Sequence, residues 1–301
     1  MIPEVTAVGE LLCDLLPGRQ RPGGAPANFA FHVQQLGARA RLISRVGHDE
    51  HGRFLLEHLK RNGLATTEIQ IDQAAPTGTA EVVLTKEGVP GFAITPHVAW
   101  DRIIATKEVV AGMGRAQAVY FGSLAQRSLQ SRDAIRALVS ATPPEALRIF
   151  DPNLRSPLLD REILGWSMDA ANVVKLSEEE LTALAPVFGL AGDARECIAH
   201  LGRQRKLKAV ALTRGARGSL LWTPRETAEC PAIPVTVRDT VGAGDAYTAT
   251  LTLGLLHHWP ATQIVRRAGE IAAFVCTQSG AMPMLPEPLR EVFLKSPSAI
   301  N

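Results

Sequence analysis

Short strands alternating with helices along most of the 301 residues predict an α/β chain: a doubly wound, mainly parallel sheet with helices on both faces and a small β lid. Three observations carry this expectation. Apolar runs rich in Val, Ile and Ala recur, each followed by a stretch with apolar residues three and four apart. Polar residues fall where those runs end, at Asp14, Asp151 to Arg155, Ser177 to Glu180 and Thr213 to Gly218. One stretch, Thr77 to Thr95, breaks the alternation. In a parallel sheet the strand ends form a shared rim where ligands bind, so the polar ends mark a site.

Val5 to Val8 reads as the first buried strand, running through Gly9-Glu10 into Leu11 to Leu16. Asp14 in that run is either an exposed strand-end residue or a carboxylate at the strand's ligand-binding end. Pro17 to Pro26 is turn-rich. Ala27 to Leu36 has helical spacing, with Gly37 as its stop and Asn28 near a capping position. Arg41 to Val46 is the next strand, and Asp49 caps a helix that Gly63 ends. The neighbouring His48-Asp49-Glu50-His51 is consecutive rather than spaced along one helix face, so it reads as a solvated helix start and not a metal cluster.

Glu81 to Thr85 and Gly91 to Thr95, joined by Lys86 to Pro90, read as a hairpin inserted between strand–helix units, a lid or an edge extension. The alternation then resumes with a helix from Ile103 to Gly112, a strand from Ala118 to Gly122 and a helix from Arg132 to Ser140. Leu147 to Phe150 is a strand, followed by a helix near Asp160 to Ala170 and the strand Val173 to Leu176. Helices cover Leu181 to Phe188 and Ala194 to Arg205, and strands cover Ala209 to Thr213 and Ser219 to Trp222. No repeat or inter-domain linker interrupts residues 1–301, which read as a single domain with the lid drawn from about residues 14–24 and 77–100.

Composition excludes several classes. Hydrophobic residues make up 46% and charged residues 21%, ordinary globular values, and the formal charge is +2. There is no basic stripe with interleaved aromatics, so nucleic acid is not an expected partner. No apolar run is long enough for a membrane span. Glu4, Glu10 and Asp14 interrupt the N-terminal stretch, unlike a secretory leader. Cys13, Cys197, Cys230 and Cys276 are scattered, which points to reduced thiols and the cytoplasm.

The chemistry concentrates in Asp239-Thr-Val-Gly-Ala-Gly-Asp245 and the apolar helical run after it. A helix start leaves N–H groups unpaired and carries partial positive charge, so it receives anions. A carboxylate there either caps the helix or takes a proton from a group bound beside the anion. The phosphate loop Gly-x-x-x-x-Gly-Lys-Ser/Thr, the dinucleotide turn, Gly-x-Ser-x-Gly and His-Glu-x-x-His are all absent. An anion hole, a glycine-rich strand end and an acidic cluster suited to hydrated Mg²⁺ are the parts phosphoryl transfer uses.

These residues resemble a known family. Asp239 to Asp245 is similar to the second signature of the ribokinase-like (PfkB) carbohydrate kinases. Gly23-Gly24-Ala25-Pro26-Ala27-Asn28, with Leu36-Gly37 and Val46-Gly47-His48-Asp49, is similar to the first. Gly-Gly-Ala-Pro-Ala-Asn and Asp151-Pro-Asn-Leu-Arg155 most resemble bacterial fructokinases.

The resemblance implies ATP and Mg²⁺ as cofactors, with room for K⁺, and transfer of the ATP γ-phosphoryl to a sugar primary hydroxyl, fructose to fructose 6-phosphate. The alternatives are 2-keto-3-deoxygluconate, ribose or a nucleoside as acceptor, or a non-catalytic binding relative. It makes Asp245 the base, the N–H groups of Gly242, Ala243 and Gly244 the anion hole, and Arg155 a further phosphate contact. Asp14, Gly24 and Asn28 would hold the sugar. Ser177, Thr213, Gly215 and Gly218, with Cys276 and Gly280, would hold the nucleotide. Glu180 would serve Mg²⁺, and Asp239 and Val241, helped by the Ser279–Ala281 loop, a monovalent cation. Trp100 and Phe92 pack either on the sugar or in the core, and the lid is where a homodimer would form. Ser177 stands where the family commonly has Asn, and the stretch from Asp14 to Gly23 is short.

Overall fold

The computed structural model describes residues 2–84, 90–154 and 160–294. In chain order the strands are β1 (Glu4–Val8), β2 (Leu12–Leu16), β3 (Arg19–Gly23), β4 (Arg39–Gly47), β5 (Ile69–Asp72), β6 (Gly78–Leu84), β7 (Pro90–Ile94), β8 (Ala118–Phe121), β9 (Leu147–Phe150), β10 (Val173–Ser177), β11 (Ala209–Thr213), β12 (Ser219–Trp222) and β13 (Thr227–Cys230). The helices are α1 (Ala25–Gln35), α2 (Glu50–Arg61), α3 (Lys107–Gly112), α4 (Leu129–Ser140), α5 (Arg161–Ala170), α6 (Glu178–Phe188), α7 (Ala194–Gln204), α8 (Ala243–Leu256), α9 (Ala261–Cys276) and α10 (Glu287–Leu294).

Nine strands form the main sheet in the order β13-β12-β11-β10-β9-β8-β1-β4-β5. Pairing is parallel from β5 through β11 and antiparallel at β12 and β13. The two-residue period of a strand sorts the core into halves. Ala118 and Tyr120 of β8 face one layer with α1, α2, α8 and α9, whereas Val119 and Phe121 face the other with α4, α5, α6 and α7. Both faces of the parallel strands are covered, and this is why they read as unbroken apolar runs.

The lid is a separate four-stranded sheet, β3-β2-β6-β7. Leu11 to Leu16 does not continue the first strand as expected. β1 ends at Val8, and β2 pairs instead with β3 in a hairpin turned at Pro17-Gly18, and with β6. Asp14 is thus a lid residue opposite Arg21, not a residue of the main sheet's rim. The short stretch between Asp14 and Gly23 suffices because a two-residue turn closes a hairpin. Residues 85–89, which hold the end of the expected first hairpin strand and all but Pro90 of the turn read at Lys86 to Pro90, lie outside the described residues, as do Arg155 and the side chain of Phe92.

Other expectations shift for local reasons. Helix α1 starts two residues early because Pro26 suits a first turn. Its N-cap is Gly24, so Asn28 lies inside the helix, not at its cap. The helix expected from Ile103 begins only at Lys107, capped by Thr106. Strands β5 and β13, at the two sheet edges, and helices α9 and α10 were not anticipated. Asp49 caps α2 through the Gly52 N–H and also accepts from the Thr77 N–H and hydroxyl, so it ties that helix to the start of β6.

Helix α8 is buried along most of its length between α1 and α9, although it carries three threonines. Thr248, Thr250 and Thr252 each have a hydroxyl 2.8–2.9 Å from the carbonyl four residues back, which satisfies them without water. On α1, fully buried His32 sets Nε2 2.9 Å from the Ala281 carbonyl, fixing the loop beside the start of α8.

Burial pushes the His32 imidazole down to about 4, against a weaker upward pull from that carbonyl. The folded state therefore refuses a proton that the unfolded chain binds below pH 6.5. The His32 contribution is intact above that pH and is lost as pH falls toward 4. We expect the wild type to lose about 3 kcal/mol more stability than His32→Gln across that window, read as the difference between their denaturant unfolding curves. Parallel curves would contradict it.

Candidate active site

The turn from Asp239 to Gly242 delivers the chain into α8. Gly242 is the N-cap, at φ 81°. A Cβ there would lie 2.6 Å from Ala281 Cα, so both the left-handed backbone and the close approach demand glycine. Asp245 falls at the third helical position. It is not the cap: the Asn28 Nδ2 donates to its Oδ2 at 2.8 Å, joining α1 to α8. The two local readings of this carboxylate therefore separate, and the side chain is held from across the cleft.

A cavity of about 300 Å³ opens in front of this helix start. That is the small end of small-molecule sites. Asp14, Gly24 and Asn28 line one side, and Val241, Gly242, Gly244 and Asp245 line the other. Leu12, Ala80, Ile94 and Leu124 supply apolar wall. Gly23 leaves room for the Asp14 carboxylate, whose Oδ2 stands 2.7 Å from where a Cβ would be. Trp100 is not part of this wall. It is fully buried beneath the Arg127 guanidinium, 3.9 Å from its ring centroid, and Gly78 packs against its indole.

Several cavity residues were given no role beforehand, and three of them are notable. Glu10 is buried at the turn after β1. Asn153 adopts φ 44°, an uncommon backbone for a non-glycine residue, at the end of β9. Lys175 matters most. It lies in β10 among Val173, Val174 and Leu176, and a lysine in so apolar a strand is the signal that marks it.

The Lys175 Nζ lies 3.3 Å from Asp151 Oδ1, and 3.2 Å from where a Cβ on Gly244 would stand. It thus sits directly beneath the turn. Burial lowers its proton affinity, but Asp151, Glu180 and Asp245 together hold it above the usual lysine value, so it is charged. Burial pushes the Asp151 carboxyl upward, opposed first by Lys175.

The expected nucleotide residues lie off the cavity along the neighbouring strand ends. Ser177 and Thr213 are paired in register at the ends of β10 and β11. Gly215 and Gly218 form the turn between β11 and β12, both with positive φ. The Cys276 carbonyl accepts the N–H groups of Arg238 and Asp239, which fastens the end of α9 to the Asp239–Gly242 turn. Ser177 and Glu180 are employed by the fold: they form a reciprocal capping box at the start of α6. Glu180 Oε2 accepts the Ser177 N–H at 2.7 Å, and Oε1 the Leu154 N–H at 2.9 Å. Among the described residues no three His, Cys, Asp or Glu side chains converge as a metal cage.

Asp239 is held differently. Its carboxylate accepts the N–H groups of Val241 and Gly280 and the Arg21 guanidinium. Burial raises it, but these donors outweigh burial and leave it below the usual carboxylate range.

A half-buried helix start facing a small cavity of mixed polar and apolar lining, at the rim of a doubly wound sheet and under a lid, fits a small-molecule phosphotransferase. The pfkB family carbohydrate kinase model matches residues 17–288, and the chain belongs to that family. A fructokinase from Klebsiella pneumoniae is 31% identical, over 94% of this chain and 96% of its own. Fructokinase with bound ATP from Xylella fastidiosa superposes with a TM-score of 0.83 at 26% identity, over 97% and 98% of the two chains. A fructokinase double mutant from Vibrio cholerae O395, in fructose-, ADP- and potassium-ion-bound form, superposes at 0.81 with 27% identity, over 98% and 99%.

Replacing Lys175 by Met should leave the buried Asp151 carboxyl without its partner, forcing it to take up a proton or stay charged in the core, and cost about 3–5 kcal/mol. Adding Asp151→Asn should recover part of that loss in urea titrations. A single variant as stable as wild type would mean that the pair carries no charge.

Proposed function

We propose that this kinase transfers the γ-phosphoryl of ATP to a primary hydroxyl of fructose, giving fructose 6-phosphate. One observation carries the reading: Asp245, held by Asn28, shares a sugar-sized cavity with Asp14 and the start of α8. Fructokinases among the relatives and solved neighbours support the choice of sugar.

In this reading Asp14, Gly24 and Asn28 take the sugar hydroxyls, and Asp245 removes the proton of the attacking hydroxyl as its oxygen bonds to the γ-phosphorus. The bond to the leaving ADP oxygen breaks opposite. The helix start, with Gly242, Ala243 and Gly244, balances the charge on the transferring group, and Lys175 adds positive potential from beneath. Ser177, Thr213 and the Gly215–Gly218 turn border the nucleotide. Mg²⁺ would arrive with the ATP phosphates and neutralise them. Both Glu180 oxygens already accept backbone N–H bonds, so that residue suits a contact through metal-bound water. Apolar residues on the lid keep competing water from the phosphoryl group. The proposed setting is the cytoplasm, which supplies ATP.

The test is a coupled ADP-release assay over ketoses, aldoses, sugar acids and nucleosides. Fructose should give the highest kcat/KM, and silence across the panel would sink the proposal. Asp245→Asn should lower turnover roughly 100-fold or more while leaving sugar binding nearly intact. Near-normal turnover would place the base elsewhere.

A further inference from the structure

The carboxylate that opens the catalytic turn is closed from outside by the lid. Arg21, on β3, sets Nη1 2.9 Å from Asp239 Oδ2 and turns Nη2 to the Ser279 hydroxyl. The same Oδ2 accepts the Gly280 N–H at 2.9 Å, and Oδ1 accepts the Val241 N–H at 3.1 Å. Arg21 and Asp239 are 20% and 19% exposed, so the pair is largely withdrawn from water.

The family resemblance suggested a monovalent cation at Asp239, Val241 and the Ser279–Ala281 loop. The residues present do not fit one. A guanidinium already faces the carboxylate and reaches Ser279 in that loop, and an ion placed beside it would meet a like charge at short range. We propose that Arg21 is the resident cation of this turn, supplying from within the chain the positive charge that an exchangeable ion would bring. Guanidinium suits the task because it stays charged at every working pH and spans two acceptors with one rigid fork. Arg21 also rides on the lid, so its charge reaches Asp239 together with the apolar wall that covers the cavity. It acts on the reaction through Asp239 and Val241, as a positioning residue.

The inference deepens the kinase reading and rests on it. The experiment therefore pairs a binding measurement with an activity measurement, and the first reads out whether or not fructose is the acceptor. Full-length protein is melted, and assayed for turnover, in potassium chloride and in choline chloride at equal ionic strength. Wild type should give the same melting temperature and turnover in both. Arg21→Ala should melt higher in potassium and turn over roughly fivefold or more faster there than in choline. Arg21→Lys, which keeps the charge, should remain indifferent. If Arg21→Ala does not fold, Arg21→Gln serves in its place. A wild type that responds to potassium in either measurement overturns the proposal. So does a neutral variant whose melting temperature ignores potassium.

Discussion

The first turn of α8 must open onto a cavity without losing its own footing, and much of the surrounding structure follows from that constraint. Gly242 can turn there only because it lacks a side chain, and the space saved is taken by Ala281. Ala281 is held in turn by His32, which hangs from the helix that also carries Asn28. One face of α1 therefore sets both the carboxylate at the third position of α8 and the loop against its cap. Disturbing either contact moves the same few atoms.

Electrostatics completes the arrangement from beneath. Asp151 after β9, Glu180 at the start of α6 and Asp245 at the start of α8 would repel one another without a cation among them, and Lys175 supplies it. Buried charge is costly unless paired. Here the cost is met by the Asp151 contact, and the ammonium stands under the helix start, where an incoming phosphoryl group would add negative charge. Arg21 treats Asp239 in the same way from the lid side. Both carboxylates of the Asp-Thr-Val-Gly-Ala-Gly-Asp turn thus find partners from distant parts of the chain.

Local sequence was ambiguous wherever one pattern serves two purposes. Ser177-Glu178-Glu179-Glu180 has the spacing of a capping box as well as that of an acidic metal contact, and the structure engages it as a cap. Asp14 read both as an acidic residue at a strand end and as the start of the lid, and the lid reading holds because the chain leaves the main sheet after Val8 and β2 pairs with β3 and β6. Trp100 could have met a sugar or the core, and Arg127 covers it in the core. Edge strands β5 and β13 went unread because only four residues each and a weak alternation announce them.

The sequence by itself determined the α/β alternation, the glycines that only particular backbone turns need, and the two motifs that place this chain among the carbohydrate kinases. Those features depend on contacts between near neighbours, whose geometry is set within a few residues. Tertiary structure alone decided that Asp245 is held by Asn28, that Lys175 lies beneath the turn and that Arg21 closes on Asp239. The partners are separated by 217 residues in the first case and 218 in the last, and no local pattern records such a distance. Folding brings them together because α1, α8 and the sheet bury their apolar residues in one shared core. The charges are then positioned by a core in which they take almost no part.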